Sequence, residues 1–356
     1  MPRFGGRFVP EPLVPPLLEA TQAWDEDSGQ ALLAECRAVR RPSPLQPAPG
    51  FSTAAGGAQV LLKREDLLEG GAALDTAHGH ALLARHLGRK RLIAAGSGVL
   101  GIAAALAGRR VGITAEWCVG ALDARRSAAA VARARELGAV VHEVNEGTQT
   151  LKEAVGEALR RCLASPEDAY LLPGAAIGPE PCPALGASFS EGIGTEIARQ
   201  SLEDLGRPPD AIVADASEAA AVGALRPFLQ GMTRLVVAEA AEAAPLTSGT
   251  EGTLHGARTL LLQDAEGQLL DPHSNAPGLD YPAAAPELAE WRSSGRLEVM
   301  AVTDAEAMDA LRTLEATEGI RVSAEAAHGV AAARAVARDL GPDAFVVVVI
   351  SGGGAS

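Results

Sequence analysis

Two spacings of apolar residues alternate along this chain. Short continuous apolar runs, the mark of strands buried on both faces, are separated by stretches in which apolar positions return every three or four residues, the mark of one-sided helices. The runs predict strands at residues 59–63, 91–95, 111–117, 139–144, 211–214, 234–238, 298–302 and 344–350. The periodic stretches predict helices at 16–38, interrupted in the polar stretch 25–30, and at 76–87, 102–107, 121–137, 151–164, 186–205, 219–229, 304–318 and 324–340. In the helix at 151–164, Leu151, Ala154, Val155, Ala158, Leu159 and Cys162 share one side. The last strand ends in Val346, Val347, Val348, Val349 and Ile350, a β-branched run suited to the middle of a covered sheet. Repeated β-α units of this kind point to an α/β fold with parallel sheets, and the length allows two domains. Arg41-Pro42-Ser43-Pro44-Leu45 is expected to be extended, because proline excludes helix and biases its predecessor toward β or polyproline geometry. The proline-rich passage from Pro173 to Pro183 reads as a crossover.

Composition narrows the function classes. A hydrophobic share of 47% and a charged share of 21% belong to a globular chain, and aromatics at 3% leave the core to Ala, Val, Leu and Ile. The net charge of −14 argues against a nucleic-acid partner or an anionic membrane surface. No apolar stretch is long enough to span a bilayer and no signal segment opens the chain, so a cytoplasmic location is expected. Cys36, Cys118, Cys162 and Cys182 show no paired spacing and read as free buried thiols in a reducing compartment. No His, Cys or carboxylate spacing suggests a metal; His78 and His80, two apart on a helix, face different ways.

Three loops carry candidate chemistry. Gly96-Ser97-Gly98-Val99-Leu100-Gly101 follows a strand and opens a helix, the pattern of a dinucleotide fingerprint. The acidic residue that should follow about twenty positions later is missing, since Glu116, the nearest, lies inside an apolar strand. The loop's amides at a helix N-terminus suit a carboxylate or another small anion, or the loop is simply a tight turn. Ser351-Gly352-Gly353-Gly354 leaves the C-terminal end of the last buried strand, where ligands bind in open parallel sheets. Glu69 and Asp75 flank a third strand end and could act as proton donors or acceptors if burial raises their pKa; Asp75 could equally cap the helix at 76–87.

A set of motifs then resembles one family over nearly the whole chain. They are Phe4-Gly5-Gly6-Arg7-Phe8-Val9-Pro10-Glu11, Arg41-Pro42-Ser43-Pro44-Leu45, Leu62-Lys63-Arg64-Glu65-Asp66-Leu67, Thr150-Leu151-Lys152-Glu153-Ala154, Leu254-His255-Gly256-Ala257-Arg258-Thr259, His273-Ser274 with Gly278-Leu279-Asp280-Tyr281-Pro282, and Thr317-Glu318-Gly319-Ile320. Their order and identity resemble the tryptophan synthase β-subunit family. That resemblance implies fold type II of the pyridoxal phosphate (PLP) enzymes, with two discontinuous domains, residues 1–38 with 73–186 and residues 39–72 with 187–356. It also implies a cytoplasmic homodimer, an α-subunit-like partner and a small-molecule ligand in the interdomain cleft.

The resemblance departs from the family at the cofactor. The family's His-Lys pair, whose lysine forms the Schiff base, falls on Ala73-Leu74, and the chain's lysines are Lys63, Lys90 and Lys152 alone. The family's general acid/base glutamate and its neighbour fall on Ala94-Ala95, and the Gln-His of its substrate-carboxylate loop on Val99-Leu100. The phosphate loop falls on Ala214-Asp215-Ala216-Ser217-Glu218, which has no glycine; a carboxylate about 4 Å from a phosphate charge costs ~4 kcal/mol at an effective dielectric near 20. Ser351, Glu325 and Asp280 match pocket positions, Ser351 that of the serine at the PLP ring nitrogen. These departures lead to an expectation of no PLP. The chain then reads as a repurposed, PLP-independent enzyme, lyase- or transferase-like and of specialised metabolism, acting on an apolar or indole-like molecule. Glu69, Asp75, Asp215 and Glu218 would transfer protons, with the ligand held by Leu74, Ala94, Ala95, Gly96, Ser97, Gly98, Val99, Leu100, Gly101, Asp280, Glu325 and Ser351. The alternative is a pseudoenzyme that binds a tryptophan-synthase-like subunit or a regulatory ligand.

Overall fold

The structure, a computed structural model, describes residues 3–25, 27–37, 41–174, 177–217 and 219–353. Helices α1 (Val14–Asp25) and α2 (Asp27–Arg37) cover the helical stretch expected at 16–38 with its interruption at 25–30. After the extended prolines come β1 (Leu45–Pro47), α3 (Pro49–Ala55), β2 (Gln59–Arg64) and α4 (Ala73–His86). Next are β3 (Arg91–Ala95), α5 (Gly98–Val111), β4 (Thr114–Gly120), α6 (Ala121–Arg126), α7 (Ala128–Glu136), β5 (Val140–Val144), α8 (Leu151–Ala164) and β6 (Ala169–Pro173). The second half contains α9 (Cys182–Ser190), α10 (Gly192–Leu205), β7 (Ala211–Asp215), α11 (Ala219–Leu225), β8 (Arg234–Ala240) and the short α12 (Pro245–Ser248). A hairpin of β9 (Thr250–Leu254) and β10 (Ala257–Leu261), then α13 (Pro286–Ser293), β11 (Glu298–Val302), α14 (Asp304–Glu318), α15 (Ala324–Asp339) and β12 (Phe345–Ile350) complete it.

Two parallel sheets organise these elements, as the alternating pattern predicts. One has the order β5-β4-β3-β6 and is parallel throughout; the other runs β1-β2-β12-β7-β8-β11 and is parallel except for β1. Strand β12 lies between β2 and β7, and all of its residues are buried. Its side chains alternate as a strand's must. Val347 and Val349 join a core with Leu61, Ile212 and Val237, whereas Val346, Val348 and Ile350 join one with Val60, Leu62, Val213 and α15.

Several boundaries moved for local reasons. Helix α5 starts at Gly98 because Ser97 caps it, accepting from the Leu100 amide, and ends where Gly112 turns left-handed; β4 therefore begins at Thr114 and not at 111. The helices expected at 121–137 and 186–205 are each divided, near Ser127 and Glu191. Helix α4 begins at Ala73, so Asp75 sits in its first turn and is not its cap. Residues 73–84 of this helix are buried all round. Within it, a Cβ on Gly79 would lie 2.1 Å from the Phe189 ring, so only glycine lets α9 pack here. The imidazole of His80 meets Tyr170 Oη at 3.0 Å, and burial pulls its pKa down to about 3. All four cysteines are free and buried, on α2, β4, α8 and α9. Burial pushes the thiols of Cys36, Cys118 and Cys182 up to about 12, and that of Cys162 up as well.

One buried ion network ties the two halves together. Arg41 donates through Nε to Asp75 on α4 (2.7 Å), and through its two terminal nitrogens to Glu196 on α10 (2.9 Å) and Glu65 beyond β2 (3.1 Å). Lys63 on β2, fully buried, spends all three protons on Glu196 (2.6 Å), Ser43 O (2.8 Å) and Gln200 Oε1 (2.9 Å). Two cations thus face three carboxylates. Burial pushes the Glu65 carboxyl up, with Arg41 pulling the other way, and this moves the network toward charge balance. Lys63 is therefore structural. Replacing it (Lys63→Met) leaves Glu196 short of a buried partner and is expected to cost ~3–5 kcal/mol, read as a lower urea midpoint; an unchanged midpoint would refute the assignment.

Candidate active site in the cleft between the sheets

The segments that follow β3 and β12 meet at one cleft of about 650 Å³, and the segment that follows β7 reaches a small space beside it. Glycines at 70, 71, 98 and 352 line it beside Val99 and Glu325. This is the place where open parallel sheets bind ligands. A smaller space of about 10 Å³, roughly that of one water, lies between Ala73, Ser97, Val99, Ser217, Glu325 and Ser351.

The structure brings Ser97, Gly98, Val99, Glu325 and Ser351 to the cleft and the small space beside it, and leaves the other ligand-binding candidates outside that lining. Ala94 and Ala95 end β3, fully buried, and Leu74 and Leu100 fill the adjoining core. Gly96 and Gly101 are small because their neighbours approach closely: a Cβ at Gly96 would meet the Leu100 side chain at 2.3 Å, and one at Gly101 the Trp117 ring at 2.4 Å. The glycines of this loop thus serve helix–strand packing, and Gly98 and Val99 face the cleft. Ser351 Oγ donates to Asp215 Oδ2 at 2.7 Å, and Asp215 also accepts from the amide (3.2 Å) and hydroxyl of Ser217. Glu325 accepts from the Gly278 amide at 3.0 Å.

Two proton-transfer candidates lie elsewhere. Glu69 is exposed, 3.8 Å from Arg110, and Asp75 is committed to Arg41 in the ion network. Glu218 lies outside the described residues. Asp215 is the one acidic candidate the structure places at the strand ends beside Ser351.

Sequence reasoning passed over an arrangement on the cleft's other wall. Arg126, which lines the cleft, stands between Asp280 (3.1 Å) and Asp123 (3.4 Å). Both carboxyls are buried, and Asp280 Oδ1 has no hydrogen-bond partner. Burial first, then the nearby Asp280, pushes the Asp123 carboxyl up to about 7; burial likewise raises Asp280 against the pull of Arg126. The available signal was Asp123 in the turn after β4, a strand end like the others.

These side chains suit a pyridine ring or a carboxylate, which would find hydroxyls and a helix N-terminus. An aldehyde would find Leu74 instead of an amine. Lys63 is held in the ion network, Lys90 is exposed 3.6 Å from Asp168, and Lys152 lies between Glu153 (3.3 Å) and Asp271 (3.2 Å). Ser351 and the first amides of α5 thus fit the polar edges of a pyridoxal cofactor.

Comparison with known proteins corrects the expectation of a cofactor-free chain. The profile of a family described as pyridoxal-phosphate dependent enzyme matches residues 37–352. A tryptophan synthase beta chain from Streptomyces coelicolor is 42% identical over 369 aligned residues, covering 99% of this chain and 86% of that protein. The processed form of threonine deaminase isoform 2 from Solanum lycopersicum superposes with a TM-score of 0.69 at 20% identity, over 100% of this chain and 89% of that one, and so shares the fold. The readings as a PLP-independent enzyme and as a pseudoenzyme are overturned with that expectation. They rested on a few substituted positions, which bear on how a cofactor is attached, whereas the match spans the scaffold that presents it. The chain belongs to the pyridoxal-phosphate dependent enzyme family.

Proposed function

We propose that the chain is a PLP-dependent lyase of the tryptophan synthase β kind, working on a small amino-acid or indole-like molecule in the cleft between the sheets. The observation that carries this reading is the 42% identity to a tryptophan synthase beta chain over 99% of the chain. When bound, the cofactor supplies an electron sink for a carbanion beside its ring. The chain's own groups do the rest. Ser351, fixed by Asp215, orients a ring edge. The first amides of α5, capped by Ser97, take a carboxylate. Val99 keeps that wall apolar, backed by the buried Leu74 and Leu100. Asp123, behind Arg126, holds a proton near neutrality. With leucine at position 74 and the lysines paired elsewhere, the cofactor is seated by non-covalent contacts.

Residues 1–38 with 73–186 and residues 39–72 with 187–356 are proposed as the two domains. In support, the four-stranded sheet falls wholly in the first set and the six-stranded sheet wholly in the second. A homodimer with an α-subunit-like partner in the cytoplasm is proposed as well, and the relative's name, a beta chain, supports the partner subunit. Among the described residues no helix is long and apolar enough to cross a membrane.

Titration with PLP is expected to give saturable binding near one per chain, with the vitamer still dialysable after borohydride treatment. Absence of saturable binding would sink the cofactor reading, and borohydride-fixed label would sink the non-covalent one. Asp123 supplies a second test. Its folded pKa, about 7, lies above its ordinary 3.8, so the fold holds this proton more tightly than the unfolded chain does. Its contribution is therefore fullest at low pH and is lost as pH rises through about 7. Asp123→Asn should flatten the fall in Tm between pH 5 and 8; an unaltered slope would show that Asp123 does not titrate there.

A further inference from the structure

The charges on the cleft are unequally satisfied. Asp66 is paired with Arg64 at 2.8 Å, Glu325 accepts from Gly278, and Arg126 is shared by Asp123 and Asp280. Two lining arginines have no carboxylate partner among the described residues. Arg125, on α6, reaches only the neutral Gln149 at 3.4 Å, and Arg321, between α14 and α15, makes no hydrogen bond or ion pair. They come from opposite sides, one from the four-stranded sheet's helices and one from the loop beside β12's exit. Arg321 is also firmly based. On its C-terminal side Val322 bridges to Gly353, the Ser323 amide donates to Gly352 O at 2.9 Å, and Ser323 caps α15; Ile320 is buried before it. Only the side chain is left free.

Each arginine can add charge-assisted hydrogen bonds to an anion bound in this cleft. The same cleft also presents the apolar Val99, Ile102, Pro277, Met308 and Leu311. Apolar surface and cations in one cleft match a flat ring carrying an anionic substituent.

We propose that the cleft selects an aromatic anion, with Arg321 and Arg125 gripping its carboxylate or phosphate while the ring lies on the apolar wall. This deepens the proposed function and rests on its reading of the cleft as the substrate site. The arginines act as specificity residues: they distinguish a charged ligand from the neutral ring and leave the ring's own contacts alone.

Calorimetry on the full chain with indole, indole-3-acetate and indoxyl phosphate tests this. The anions are expected to bind at least about tenfold more tightly than indole, the worth of one good charge-assisted contact. Arg321→Met should bring them to within about twofold of indole, Arg125→Met should do so in part, and neither should change indole itself. Added salt should shrink the preference. Whichever anion binds more tightly identifies the substituent. Equal affinity for indole and its anions, or a preference that survives both substitutions, overturns the anion grip while leaving the indole-like reading in place. Anion binding that depends on Arg321, with no binding of indole, supports the grip and overturns the neutral-substrate reading. No binding of any of the three overturns both.

Discussion

The contact on which the rest of the structure depends is the fan of three carboxylates around Arg41. Glu65 comes from the sheet built on β12, Glu196 from a helix packed beside it, and Asp75 from the first turn of α4, whose core belongs with the other sheet. Buried charges gain little net stability over apolar packing, but they tolerate one geometry only. Here that geometry fixes how α4 enters the space between the sheets. Leu74 is next to Asp75 in the chain, so the buried apolar packing behind the cleft is set by an arginine that never touches the cleft.

Much of this was legible in the sequence. The valine run of β12 announced a doubly covered strand, and the alternation of strand and helix announced parallel sheets. The short pieces were not legible. β6 ends in proline and has only a few residues to show a period, and the β9–β10 hairpin carries charged and glycine positions that mask alternation. Asp75 looked like a helix cap because its destiny lay with Arg41, far away in sequence. Asp123 and Arg126 were overlooked for the same reason: their partner Asp280 is brought to them only by the fold. Side chains whose roles are local could be read from neighbours, and those whose roles are tertiary could not.

The cleft also shows how differently a scaffold and its chemistry can be written. The departures that the resemblance implies at 74, 94, 95 and 214–218, read alone, suggested that the cofactor had gone. The similarity extends over 99% of the chain, into helices and strands that touch no ligand. A parallel sheet that presents strand ends to a cleft is a property of the whole fold, and local changes in that cleft alter how a ligand is gripped before they alter which family the chain belongs to.

The four buried thiols have a use unconnected with catalysis. None is a thiolate at neutral pH, and none can meet a reagent while its helix or strand stays packed. Labelling at each one therefore clocks an opening event at a known place: Cys36 the α2–α4 seam, Cys118 the four-stranded sheet, Cys162 and Cys182 the helices beside it. The chain carries its own set of reporters for which part of the architecture breathes first.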